Sequence, residues 1–320
     1  MFMGSETPPL LVENLTSDSV VEISTNKETE HETVTDDEKN RPIDMSHPKI
    51  DTILGQSSNT IKPVQIQKKV ELSESVSTDE SDREPLPHSE LYTLASGFVV
   101  NLFCDMGDDE VAIATGVIIH EAGYILTNAH VAPAENIGTC VIRQGSPAHN
   151  VALAERIFTP TAISATSSTR DILRRDVAIW KITRIIPGEL KTPVPFLAIP
   201  SSYVVTDTQK LSTFSYPAEL LGSQTIVNAL YLSFSETTVV SHDAYFIEST
   251  QGLSSQKGSS GGILVDPYTG RFAGLIFAIN SKKGQSVSER TLFSLTPLAI
   301  EEAIREATKK SLQEYLAEKP

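Results

Sequence analysis

The chain has 320 residues, 39% of them hydrophobic, which is enough for a sizeable core, and a formal net charge of -15. With 41 acidic residues against 26 basic ones it has no basic stripe to neutralise a phosphate backbone or to meet an anionic bilayer, so no nucleic acid and no membrane are expected as partners. Its two cysteines, Cys104 and Cys140, rule out a disulfide-dense secreted scaffold; buried free thiols are the default expectation, and a single bridge stays open.

From Met1 to about His88 the chain is dominated by Ser, Thr, Glu, Asp, Asn and Pro. It shows no sustained apolar period, so it cannot bury enough surface to offset its ordering entropy. Residues 1–88 are expected to be a long disordered acidic tail, holding 18 acidic and 8 basic residues and therefore two thirds of the net charge. As a solvating arm it keeps the protein soluble; the competing role is a segment that occludes a cleft. Within it, IKPVQIQKKVEL (Ile61–Leu72) is either residual propensity or a short docking motif. The opening MFMGSETPPLLVENL lacks a basic stretch followed by an apolar run, and no run is long enough to span a bilayer, so a cytoplasmic location is expected.

After Pro87 the texture changes to short β-rich runs separated by turn residues, which predicts an all-β barrel or sandwich. Ser96–Cys104, Glu110–Ile119 and Gly123–Val131 are the first three runs, with HEAG (His120–Gly123) turning a hairpin on a glycine free to take positive φ. Asp176–Ile182, Pro195–Pro200, Gln209–Pro217, Ala229–Val240, Gly261–Asp266 and Phe272–Asn280 continue the pattern. Helix is expected only at the end, where Leu298, Ile300, Ile304, Ala307 and Leu312 fall near helical spacing.

The run KGSSGGILVD (Lys257–Asp266) places three glycines around two serines and leads straight into an apolar segment. A Gly/Ser linker would be flanked by polar spacers, whereas glycines beside Ser260 let backbone N–H groups turn inward and let an acyl group approach without meeting a Cβ. It is no phosphate loop, because Lys257 precedes Gly258 where that motif needs the reverse order. A serine hydroxyl needs a base to become a nucleophile. Of the seven histidines, His31, His47 and His88 fall in or at the edge of the tail, His120 in a hairpin turn, and His149 and His242 in polar connections; His130 alone follows an apolar strand, GYILTNA.

The run GVIIHEAGYILTNAHV (Gly116–Val131) resembles the trypsin-like serine proteases, and among them the bacterial high-temperature-requirement (Deg) branch, whose catalytic histidine closes a T-N-x-H-V strand end. The resemblance places that role on His130. Asp176 heads DVAIWKI as the family's aspartate heads a D-x-A-x-x-K-I strand; Asp171 competes but precedes no alternating strand. The nucleophile pattern G-x-S-G-G falls on Gly258–Gly262, which gives Ser260, and QKLSTFSYP matches a second-barrel strand with Ser215 where glycine is usual. The order His, Asp, Ser belongs to the chymotrypsin-type double barrel.

The resemblance covers about residues 90–316. It implies two six-stranded antiparallel β-barrels, at about 89–190 and 191–296, followed by a C-terminal helix at about 297–317. It also implies a serine endopeptidase without metal or organic cofactor, with an oxyanion hole from the backbone N–H groups of Gly258 and Ser260. Its substrate would be a protein or peptide whose side chain sits in a pocket walled by Ser254 to Lys257 and by Phe277 to Ile279, suited to small or medium aliphatic groups. The alternative is a catalytically silent barrel that binds peptides or a partner. Three departures stand out: Ser259 replaces the Asp that secreted trypsins pair with a processed N-terminus, Ile263 replaces a usual Pro, and no PDZ-like region is expected after the protease domain.

Overall fold

The computed structural model describes residues 84–107, 110–131, 139–160, 168–250, 252–280 and 286–318. Most of the expected tail, with Ile61–Leu72, lies outside the described residues. The first barrel is built from β1 (Val99–Gly107), β2 (Glu110–His120), β3 (Tyr124–Thr127), β4 (Thr139–Gly145), β5 (Ala148–Phe158) and β6 (Ala178–Ile185). The second uses β7 (Lys210–Ser215), β8 (Ser233–His242), β9 (Phe246–Ser249), β10 (Ile263–Val265), β11 (Phe272–Asn280) and β12 (Thr291–Leu295). Each barrel closes antiparallel, in the orders β1-β2-β3-β6-β5-β4 and β10-β11-β12-β9-β8-β7, so neither leaves an open strand edge. The expected double barrel is the observed fold.

The HEAG hairpin forms as expected: His120 pairs with Tyr124, and Gly123 takes φ 81°. The strand that follows pairs Thr127 with Ala178, so the residues just after β3 and just before β6 leave the barrel at the same rim. One apolar core draws side chains from both barrels, including Trp180, Phe214, Phe246 and Leu275, and a smaller cluster around Leu211, Val239, Ile247 and Ile276 fills the second barrel. Arg143 of β4 is buried, with no acidic partner among the described residues. It donates to the carbonyls of Ile226 and Val227 in helix α3 (Ser223–Asn228) and of Ala148, which ties the first barrel to a segment of the second. Burial pushes its pKa down to about 10.

Several expectations are corrected. A helix, α1 (His88–Phe98), occupies the supposed edge of the tail and the start of the first predicted strand; Leu91, Ala95 and Phe98 bury one face of it. Pro195–Pro200 forms no strand: its prolines have no N–H to give a ladder, and one bond, from Leu197 N–H to the Ile118 carbonyl at 2.9 Å, holds it to the first barrel. Strands β4, β5, β9 and β12 and the short helices α2 (Thr169–Leu173) and α3 were not anticipated, and His149 and His242 lie in β5 and at the end of β8, not in connections. The single terminal helix is two, α4 (Pro297–Thr308) and α5 (Leu312–Ala317): Lys309 turns left-handed at φ 64°, and Ser311 caps the second.

The free thiols are also corrected. Cys104 and Cys140 face each other across β1 and β4 and form a disulfide. Among the described residues no helix is long and apolar enough to cross a membrane.

Candidate active site

The shared rim of β3 and β6 brings the first two candidate residues together. His130 sits in a 3-10 turn, Ala129–Val131, directly after β3, and Asp176 lies two residues before β6. The Asp176 carboxylate takes hold of His130 twice: Oδ1 accepts its backbone N–H at 2.9 Å, and Oδ2 lies 2.5 Å from Nδ1. An ionised carboxylate only accepts, so across this contact the proton belongs on Nδ1, and a neutral imidazole then keeps its lone pair on Nε2. Asn128 Nδ2 donates to the Asp176 carbonyl at 2.9 Å and locks the two segments side by side. Both side chains are mostly buried, His130 at 15% and Asp176 at 10% exposure. Asp171 lies instead in α2, half exposed and engaged by Ser168 and Arg174; those hydrogen bonds hold its carboxyl below the usual range.

Ser260 belongs to the loop before β10 and is held against the first barrel through Thr115 of β2. The Thr115 N–H donates to the Ser260 carbonyl at 2.8 Å, and the Thr115 hydroxyl donates to the Gly258 carbonyl at 2.8 Å. Thr115 in turn accepts from Tyr216 N–H in the second barrel and, at its carbonyl, from the Thr127 hydroxyl. Thr127 stands three residues before His130. The loop that bears the serine is thus latched to the strand end that bears the histidine.

The glycines of this loop have separate tasks. A Cβ on Gly261, at φ 82°, would lie 1.9 Å from the Thr115 carbonyl oxygen, and one on Gly258, at φ 92°, would lie 2.8 Å from the Tyr216 carbonyl oxygen. Among the described residues neither the Gly258 nor the Ser260 N–H has an acceptor, whereas Lys257, Ser259, Gly261 and Gly262 all donate. The reason is peptide planarity. In a trans peptide the carbonyl and the N–H point opposite ways. The Lys257 carbonyl is fixed by Ala218 N–H at 2.9 Å and the Ser259 carbonyl by Gly262 N–H at 2.8 Å, so the next N–H in each case is turned away from those partners.

Beneath the loop, the hydroxyls of Ser259, Ser215, Ser254, Thr213 and Ser235 form a continuous hydrogen-bonded chain. Ser254, expected in a pocket wall, is fully buried within it. Phe277, expected opposite, is buried in the core with its ring 5.6 Å from that of Phe246, and Ile279 pairs with Leu292 across β11 and β12. Lys257 touches the site through its backbone, its N–H donating to Glu219 at 3.1 Å.

Sequence reasoning missed Thr115, Glu219 and Arg290. Thr115 had a signal, a hydroxyl residue inside the apolar run EVAIATGVII, buried without any exposure. Glu219 and Arg290 had none, because they are an acid and a base 71 positions apart in unrelated turns.

A double barrel with a carboxylate-held histidine on one barrel and a glycine-framed serine loop from the other defines the trypsin-like class. The chain belongs to that family: the model of the trypsin-like peptidase domain matches residues 114–275, just over half its length. No curated protein matches the sequence. The chain is similar in structure to the MamO protease domain of Magnetospirillum magneticum, at 16% identity over 65% of this chain and 96% of that one, with a TM-score of 0.45. It is similar also to a serine endoprotease of Yersinia pestis, at 17% identity over 71% of this chain and 68% of that one, TM-score 0.45. A third similar structure is the HtrA-type protease AlgW solved with a tripeptide, at 19% identity over 71% of this chain and 65% of that one, TM-score 0.49.

Proposed function

We propose that the chain is a serine endopeptidase in which Ser260 is the nucleophile, His130 its general base and Asp176 the residue that orients the base. The observation that carries this reading is the double grip of Asp176 on His130, which orients the imidazole and, in its neutral form, favours the tautomer with the lone pair on Nε2. In the first half-reaction Ser260 Oγ attacks the peptide carbonyl carbon while His130 Nε2 takes its proton. The tetrahedral adduct collapses to an acyl-enzyme as the imidazolium gives that proton to the leaving amine. Water, deprotonated by the same imidazole, then releases the acid. The N–H groups of Gly258 and Ser260, which have no acceptor among the described residues, support an oxyanion hole at that position, worth about 3–4 kcal/mol of transition-state stabilisation in enzymes of this kind.

The substrate is a protein or peptide. Ser254, Lys257, Phe277 and Ile279 remain the proposed surroundings of a primary pocket for small or medium aliphatic side chains. The residue types carry no acidic group to attract Lys or Arg.

Ser260→Ala is expected to abolish cleavage of a fluorescent unfolded protein such as labelled casein while shifting Tm by no more than about 2 °C, since it removes a single oxygen and no carbon. Undiminished turnover by this variant rejects the assignment, and a wild-type chain that is inert towards substrate favours the silent binding module.

A further inference from the structure

The loop that carries Ser260 is gripped by a pair of charges for which the triad has no use. Glu219, in the turn after β7, and Arg290, just before β12, meet through a two-pronged contact, Nη1 to Oε2 at 2.5 Å and Nη2 to Oε1 at 2.8 Å. Arg290 is 12% and Glu219 22% exposed, so the pair is largely withdrawn from water. A planar guanidinium facing a carboxylate in this way fixes orientation as well as distance. The Arg290 contact holds the Glu219 carboxyl below its usual range, and Glu219 raises Arg290 in return, which keeps both ionised at neutral pH.

Each partner also holds the serine loop itself. Glu219 Oε2 accepts the Lys257 N–H at 3.1 Å, and Arg290 Nη1 donates to the Ser255 carbonyl at 3.1 Å. Next to Glu219, Ala218 N–H donates to the Lys257 carbonyl at 2.9 Å. Lys257 is therefore held at both its N–H and its carbonyl by consecutive residues of one turn, and the peptide that follows presents the Gly258 N–H. Position 259 is a serine whose hydroxyl joins the hydroxyl chain, so this position offers no carboxylate for the task.

We infer that Glu219 and Arg290 are positioning residues for the oxyanion-binding N–H groups, an internal ion pair that fixes the Lys257–Gly258 peptide and makes the site competent without a processed N-terminus. This rests on the proposed peptidase reading. The pair meets the proposed pocket wall at backbone groups, the Lys257 N–H and the Ser255 carbonyl, and not through a side chain of that wall, so its loss raises the barrier to acylation more than it weakens ground-state binding. Removing a whole oxyanion donor costs about 10²–10³ in kcat, and a donor left in place but no longer held costs part of that.

The test compares wild type with Glu219→Gln, Arg290→Met and the double variant, using one quenched fluorogenic peptide and the aldehyde of its acyl half. The aldehyde adds to Ser260 and places an oxyanion in the hole. The expected result is kcat lowered about 10- to 100-fold in each single variant with KM within about threefold, the double variant no worse than the poorer single one, and aldehyde affinity falling in parallel with kcat/KM. A purely structural pair would lower Tm and leave the ratio of aldehyde affinity to KM unchanged. If Glu219→Gln fails to fold, Arg290→Lys, which keeps the charge and loses the fork, serves in its place and is expected to show the same split. Wild type that neither cleaves the peptide nor binds the aldehyde overturns the peptidase reading; an active wild type whose folded variants keep kcat within twofold overturns this inference alone.

Discussion

At Gly261 the chain has no room for a side chain, because a Cβ there would sit 1.9 Å from the Thr115 carbonyl oxygen and 2.2 Å from the Thr127 hydroxyl, on a backbone at φ 82°. Gly261→Ala must push the serine loop off β2 and break the bond from Thr115 N–H to the Ser260 carbonyl. The left-handed backbone alone costs about 1–2 kcal/mol, and a displacement near 1 Å at the reacting hydroxyl costs about 10²-fold. A peptide assay with a parallel melting curve is expected to show kcat/KM down at least about 100-fold and a lowered Tm; wild-type kinetics would mean that the latch is unnecessary. The candidate residues His130, Asp176 and Ser260 can be picked out in the sequence because each closes or opens a strand within a short motif. Glu219 and Arg290 are not, since their relation exists only after two turns of the second barrel have folded together.

The elements were legible where apolar runs were long and uninterrupted, as in β2, β6 and β11. They were lost where barrel closure requires polar side chains within a strand. In β4 and β5 the run is broken by Arg143, Gln144, His149 and Asn150; Arg143 donates to the Ala148 carbonyl and Gln144 to the Gly97 carbonyl of α1. Missing β4 also hid the disulfide, because nothing local shows that Cys140 will lie opposite Cys104. That bond closes a separation of 36 residues. On the chain-entropy account a loop of this length stabilises the fold by roughly 4 kcal/mol. Urea unfolding with and without reductant is expected to show a lower midpoint and an unfolding free energy smaller by about 2–4 kcal/mol in the reduced protein; coincident curves would show that the bridge contributes nothing.

For the whole molecule, the double barrel followed from a resemblance in motif order rather than from strand counting, which found too few strands. The two barrels share one apolar core and are joined further by Arg143 and Thr115, so the candidate site lies between parts packed against each other. Residues 1–83 carry most of the net charge, and we propose that they are a solubilising arm without effect on the cleft. A chain beginning at Glu84, which retains α1 and the bond from Leu86 N–H to the Pro267 carbonyl, is expected to match the full chain in kcat/KM within twofold. A several-fold gain on truncation would assign the arm an inhibitory role instead.

The central claim is tested most directly by treating the folded protein with a fluorophosphonate and locating the adduct by mass spectrometry. Modification confined to Ser260, lost on denaturation and in His130→Ala, is the expected result, because only a hydroxyl activated by a neighbouring imidazole reacts. A native protein that takes up no label, or one labelled equally after Ser260→Ala, contradicts the account.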